Sequence, residues 1–143
     1  MTAPPPIDRA GRAGSVPRPA FEVRYDAVAR RLRWTMRGFW TMREVAGLGA
    51  AMQDALAPLG PPPHRFDGLC DSRDFPVQSA EVSNALGLID KAGSAMRQGR
   101  VAIVVGSMIN KLQAERTLTS PDVRVFLTME DAEAWLNQDR HSE

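Results

Sequence analysis

The chain predicts an α/β domain built on a mixed, mostly parallel β-sheet, with an antiparallel hairpin at its N-terminal edge and four helices. Three observations predict it. Phe21, Val23 and Tyr25 alternate with charged residues, and after a short turn Leu32, Trp34 and Met36 alternate with arginines, the period of two of a hairpin with one face on a core. Val101-Ala102-Ile103-Val104-Val105 is a continuous, mostly β-branched apolar run, which is how a strand covered on both faces reads. Around that run, segments of helical spacing alternate with strand-like ones in the order β-β-α-β-α-β-α-β-α, so pairing beyond the hairpin should be parallel.

The 143 residues suit one core, and a domain of that size buries roughly 68 to 70% of the surface its unfolded chain exposes. Met1 to Pro19 carries five prolines, two glycines and scattered arginines, and is expected to be a disordered tail whose alternative use is a docking arm. The domain is expected over 20–138, followed by a short polar tail over 139–143. A net charge of +1 gives no electrostatic reason to expect nucleic acid or an anionic membrane as the partner. With Cys70 as the single cysteine, no internal disulfide and no structural zinc site are expected. No apolar run reaches the ~18 residues of a membrane span and the N-terminus lacks a signal-peptide core, so the expected location is the cytoplasm.

Each element has a local reason. The arginines of the hairpin, Arg31, Arg33 and Arg37, are expected to line its wet face, either as solvated edge protection or as an anion-binding patch. Thr41-Met42-Arg43-Glu44 has capping-box spacing, and Val45, Leu48, Met52, Ala55 and Leu56 give the helix that follows one apolar stripe ending near Ala57, before Pro58 and Gly60. Phe39 and Trp40 precede it, either packed beneath it or forming an exposed lip. Phe66 to Cys70 reads as a strand. Ser79 and Glu81 mark the next N-terminus, Val82, Leu86, Ile89, Gly93 and Met96 the face of that helix, and Gly99 its close. Met108 to Leu118 reads as a third helix with a less clean stripe. Val123, Val125 and Leu127 alternate as a last strand, and Thr128 caps a final helix carrying Ala132, Trp135 and Leu136.

The candidate site is the polar cluster after the third strand, Asp71, Ser72, Arg73 and Asp74, with Phe75, because ligands collect at the carboxyl ends of strands in open α/β sheets. Nothing there assembles a catalytic constellation. His64 adjoins a proline run, His141 sits near the chain end, and Cys70 lies within an apolar strand as a small hydrophobe. Gly47-Leu48-Gly49 lies inside a helical stripe and is no phosphate loop. Asp71 and Asp74 alone are too few ligands for a cation, so neither metal, cofactor nor enzymatic activity is expected.

The order of elements resembles the SpoIIAA-like or STAS-like fold, nearest to small bacterial domains described as STAS or SEC14-like. Gly38 and Thr41 after the hairpin, Asp71 and Ser72 at the third strand's end, and Val125, Phe126, Ala132, Trp135 and Leu136 in the closing segment fall where that family has them, over about Phe21 to Asn137. In anti-sigma-factor antagonists of this fold, an aspartate-serine pair carries a regulatory phosphoserine. The resemblance therefore implies Ser72 as phosphoacceptor, although Arg73, Asp74, Phe75 and Pro76 intervene before the next helix. It also implies a non-catalytic regulatory module binding a protein partner through Asp71 to Phe75. The other reading of the residues is a carrier or sensor of a small apolar or lipid-like ligand, admitted between the sheet and helices bearing Met52, Met96 and Met108. A cavity of roughly a few hundred Å³ would mark the carrier, and an exposed apolar patch without a cavity the partner module. Pairing of an edge strand or the hairpin across a two-fold axis would make a homodimer.

Overall fold

The computed structural model describes residues 18–138. Of the tail expected over 1–19, residues 1–17 lie outside the described residues, as does the tail expected over 139–143, with His141. The elements are β1 (Phe21–Asp26), β2 (Arg31–Arg37), α1 (Met42–Leu56) with a short 3-10 turn (Ala57–Leu59), β3 (Asp67–Asp74), α2 (Ala80–Met96), β4 (Val101–Val105), α3 (Met108–Thr117), β5 (Val123–Phe126) and α4 (Met129–Leu136). The sheet has five strands in the order β1-β2-β3-β4-β5. β1 and β2 pair antiparallel, and every other pair is parallel. This is the expected order and sheet.

A sequential parallel order with right-handed crossovers places the connecting helices on one face. Val45 and Leu48 of α1 and Val82 of α2 accordingly share a core with Met36, Cys70, Val101, Ile103 and Val105. Leu69, Ala102 and Val104 point the other way and pack with Ala132 and Leu136 of α4. β4, covered on both faces, is buried along its whole length, as its unbroken apolar run requires.

Helix starts follow the local chemistry. Glu44 accepts from the Thr41 N–H at 2.7 Å while Thr41 accepts from the Arg43 N–H, completing the capping box. Ser79, Ser107 and Thr128 accept from the backbone N–H of Val82, Asn110 and Asp131.

Three expectations are corrected, and one open choice is decided. β3 does not stop at Cys70 but runs to Asp74, because β2 continues alongside it past an irregularity between Thr35 and Arg37. The hairpin arginines do not all line a wet face. α4 folds back over that side, burying Arg31, whose Nη2 donates to Asn137 Oδ1 at 2.9 Å, and drawing Arg33 towards Glu133. Gly99 is not a left-handed cap, since positive φ among the described glycines occurs at Gly38 and Gly60; it is glycine because the Phe66 carbonyl passes where a Cβ would stand. Phe39 and Trp40 divide the two uses foreseen for them: Trp40 is buried against Phe21 and Phe75, while Phe39 is 80% exposed.

Candidate functional site

The strand register decides where the candidate residues point. Side chains alternate along β3, so Asp71 and Arg73 share the α4 side and Ser72 faces the three-helix side with Gly68 and Cys70. Asp71 and Arg73, two apart on one face, close a bidentate pair, with Nε to Oδ1 at 2.9 Å and Nη2 to Oδ2 at 2.8 Å. Those hydrogen bonds hold the Asp71 carboxyl below the usual carboxylate range, outweighing its partial burial. Asp74 lies 3.5 Å from Arg18, both well exposed. The cluster expected as a loop is thus mostly strand, and its charged members pair with one another or with Arg18.

Ser72 is 3% exposed, and its hydroxyl donates to the Val104 carbonyl at 2.9 Å. A kinase would have to open the end of β3 to reach it. Phosphorylation there would place about −1.5 to −2 charges among apolar side chains.

On the three-helix side lies an apolar cavity of about 300 Å³. Its floor is the sheet: Trp34 and Met36 of β2, Cys70 and Ser72 of β3, Ile103 and Val105 of β4. Its roof is Met52 and Leu56 of α1, Leu86 and Ile89 of α2, and Ala114 and Leu118 of α3. Helix α2 explains the space. Its backbone lies closer to α1 and α3 than to the strands, and Val82 is the single buried side chain of its 17 residues. Leu86 and Ile89, the apolar stripe of the helix, therefore stay half-buried over the cavity.

The cavity reaches the C-terminal end of the sheet at Phe75, Pro76, Val77 and Gln78. Gln78 ties that end together: its Oε1 accepts from the Trp40 N–H at 2.7 Å, and its Nε2 donates to the carbonyls of Gly38 and Pro76 at 2.9 and 2.7 Å. Asn110 of α3 donates to the Phe75 carbonyl at 3.3 Å. Phe75 belongs both to the expected cluster and to the cavity wall, so it is the residue that joins the two.

The Cys70 thiol lies in the floor, where burial pushes it well above its ordinary range and keeps it protonated. Of the three methionines foreseen for a ligand space, Met52 and Met96 line it and Met108 does not. Sequence reading missed Gly49, Gln78 and Arg97 in the wall. For Gly49 a signal existed: a glycine inside a helical stripe costs about 1 kcal/mol against alanine and asks for a reason. Among the described residues no group of three or more His, Cys, Asp or Glu side chains could hold a metal ion, and no helix is long and apolar enough to cross a membrane.

The described residues therefore form a SpoIIAA-like α/β module with an apolar cavity between the sheet and its three crossover helices. The chain is similar to an uncharacterised protein from Shewanella loihica PV-4, of the DUF3478 family, whose crystal structure has a SpoIIAA-like fold; the TM-score is 0.60 at 18% identity, covering 86% of this chain and 99% of the other. At that identity the likeness speaks for the fold. No family model matches the chain, and no curated protein does.

Proposed function

We propose that this protein is a non-catalytic binding module that holds a small, mainly apolar ligand between its sheet and helices α1 to α3, as a carrier or sensor. The observation that carries the reading is α2, a 17-residue helix with one buried side chain, standing over an apolar cavity of about 300 Å³. Apolar wall left facing water or empty space costs about 25 cal/mol per Å² relative to covering it. Water is a poor filler for an apolar wall. A ligand that buries apolar surface there removes the cost, and the adaptable side chains of Met52 and Met96 suit a site that must reshape around it.

Gly49 provides the test. It lines the cavity from α1, and a Cβ built on it meets nothing within 4 Å. Gly49→Leu should gain about 1 kcal/mol of helix propensity and fill part of the space. The expected result is a more stable protein that no longer binds a neutral apolar fluorophore such as N-phenyl-1-naphthylamine. Equal binding by both forms, or none by either, would sink the proposal.

A second reading, a regulatory surface for a protein partner, is favoured by exposed apolar side chains at the C-terminal end of the sheet: Phe39 at 80%, and Met108, Ile109 and Leu112 on α3, a helix with no buried residue. Native mass spectrometry of protein purified gently from its host separates the readings. A co-purifying small mass supports the carrier; a partner chain, a second copy or a phosphate on Ser72 supports the regulatory surface.

A further inference from the structure

The sheet has two edges, and they differ. β5 closes one with four residues, a length that offers a further strand little to pair with. β1 closes the other with six, in unbroken antiparallel register with β2, without a proline or a bulge, and with no further strand beside it among the described residues. Such an edge presents a row of backbone N–H and C=O groups to any strand that fits it.

The ladder with β2 fixes which groups those are. The Arg37 N–H donates to the Ala20 carbonyl at 2.8 Å, one step beyond the pairing of Phe21 with Met36. Residues along an antiparallel strand bond alternately to one side and the other. Ala20, Glu22, Arg24 and Asp26 therefore bond to β2, and Phe21, Val23 and Tyr25 turn their N–H and C=O groups to the free edge.

A second β1 running antiparallel uses all of those outward groups in one register, the one centred on Val23. Phe21 then pairs with Tyr25 of the second copy, Val23 with Val23, and Tyr25 with Phe21. The same register sets Glu22 directly opposite Arg24 of the second copy, twice by symmetry, at the positions where facing side chains lie closest. The neighbouring registers, centred on Glu22 or on Arg24, set glutamate against glutamate or arginine against arginine and lose backbone bonds as well. Edge protection by charges of one sign would repel a second copy in every register; β1 carries opposite signs two residues apart.

The surroundings agree. Glu22 and Arg24 are exposed. Arg24 stands opposite Arg33, a like charge, while Asp26 lies 3.8 Å from Arg33, so a carboxylate from a second copy would relieve Arg24. On the other face, the flank of α1 over the Phe21 ring is built of small residues, Gly47 with Ala50 and Ala51 one turn on, which leaves room over the axis for the paired aromatic side chains.

We infer that the chain forms a two-fold dimer in which β1 pairs antiparallel with β1 of a second copy about Val23, joining two five-stranded sheets into one. The contact is small, so the dimer forms and parts with concentration. It is independent of the cavity, and it lies at the sheet edge opposite α3, which packs by β4 and β5.

Sedimentation velocity of the full chain over roughly 1 to 500 µM should show a monomer–dimer equilibrium. Glu22→Arg sets an arginine against Arg24, and Arg24→Glu sets a glutamate against Glu22, so each variant alone should dimerise about tenfold more weakly. Mixed in equal amounts, the two variants carry opposite charges at both positions and should associate as tightly as the native chain. A native chain that stays monomeric to about 500 µM, variants that dimerise as the native chain does, as they would if the second copy sat on α3, or a mixture no tighter than its components would overturn the inference. Should a variant not fold, amide exchange of the native chain decides: the N–H groups of Phe21, Val23 and Tyr25 should exchange more slowly as concentration rises, and rates independent of concentration would overturn it.

Discussion

Asp71 and Arg73 show how one position on a strand settles a chemistry. Held on the same face, they spend their charges on each other, and the depressed Asp71 pKa has a definite sign for stability. A carboxyl whose folded pKa lies below its unfolded one stabilises the protein above the unfolded value, and that contribution is lost as pH falls through the folded one. Arg73 is half exposed, so solvent limits the pair to at most about 1 kcal/mol. Asp71→Asn should therefore lower the urea midpoint modestly at neutral pH, with the difference from the native chain shrinking as pH falls from about 5 towards 2. Gly99 is a harder constraint. Its missing Cβ gives way to the Phe66 carbonyl, which is backbone and cannot swing aside, so Gly99→Ala should cost about 3 kcal/mol or more in thermal or urea denaturation. Gly47 differs, since a Cβ there would meet the ring of Phe21 at 2.7 Å, a side chain that can move.

At the scale of elements, α1 and α2 divide the labour of a helical layer. α1 is anchored by a complete capping box and by Val45 and Leu48, the latter 1% exposed. Thr41→Ala should cost about 1 kcal/mol, and Leu48→Ala about 3 to 5 kcal/mol. α2 is longer yet has Val82 as its one fully buried side chain, with Ala85, Leu86 and Ile89 packed half-buried against the core. Leu86→Ala, which trims a half-buried side chain already facing open volume, should cost well under what Leu48→Ala does. Few buried apolar contacts also mean cheap local opening. In hydrogen exchange, the amides of α2 should exchange faster than those of fully buried β4, and slow when a cavity ligand is added. Unchanged protection in α2 on saturation would show that the helix does not sense the cavity.

For the whole molecule, the sequential order of parallel strands is what stacks three crossover helices on one face and leaves the other to α4. A bound ligand should stabilise the native state by about 2.7 kcal/mol at a hundredfold excess over Kd, raising Tm by roughly 5 to 10 °C. A melting curve indifferent to saturating ligand would contradict the binding role. The features readable from the chain were those whose cause lies within a few residues. Thr41, Ser79 and Thr128 cap helices through bonds to N–H groups two or three residues on, and the Val101–Val105 run declares a strand buried on both sides. Where a cause lay far along the chain, the reading fell short. The extension of β3 to Asp74 needs β2 beside it, the burial of Arg31 needs Asn137 of the segment after α4, and the ion pair of Arg97 needs Asp122. Met52 and Met96 were legible as adaptable apolar residues, but only the stand of α2 off the sheet makes them walls of a cavity. Local hydrogen bonding and side-chain periodicity are encoded in neighbouring residues, so the sequence by itself determined the elements, their order and the parallel sheet. Which face each polar side chain meets, and how much space the helices leave, depends on packing between distant segments, and this only the tertiary structure decided.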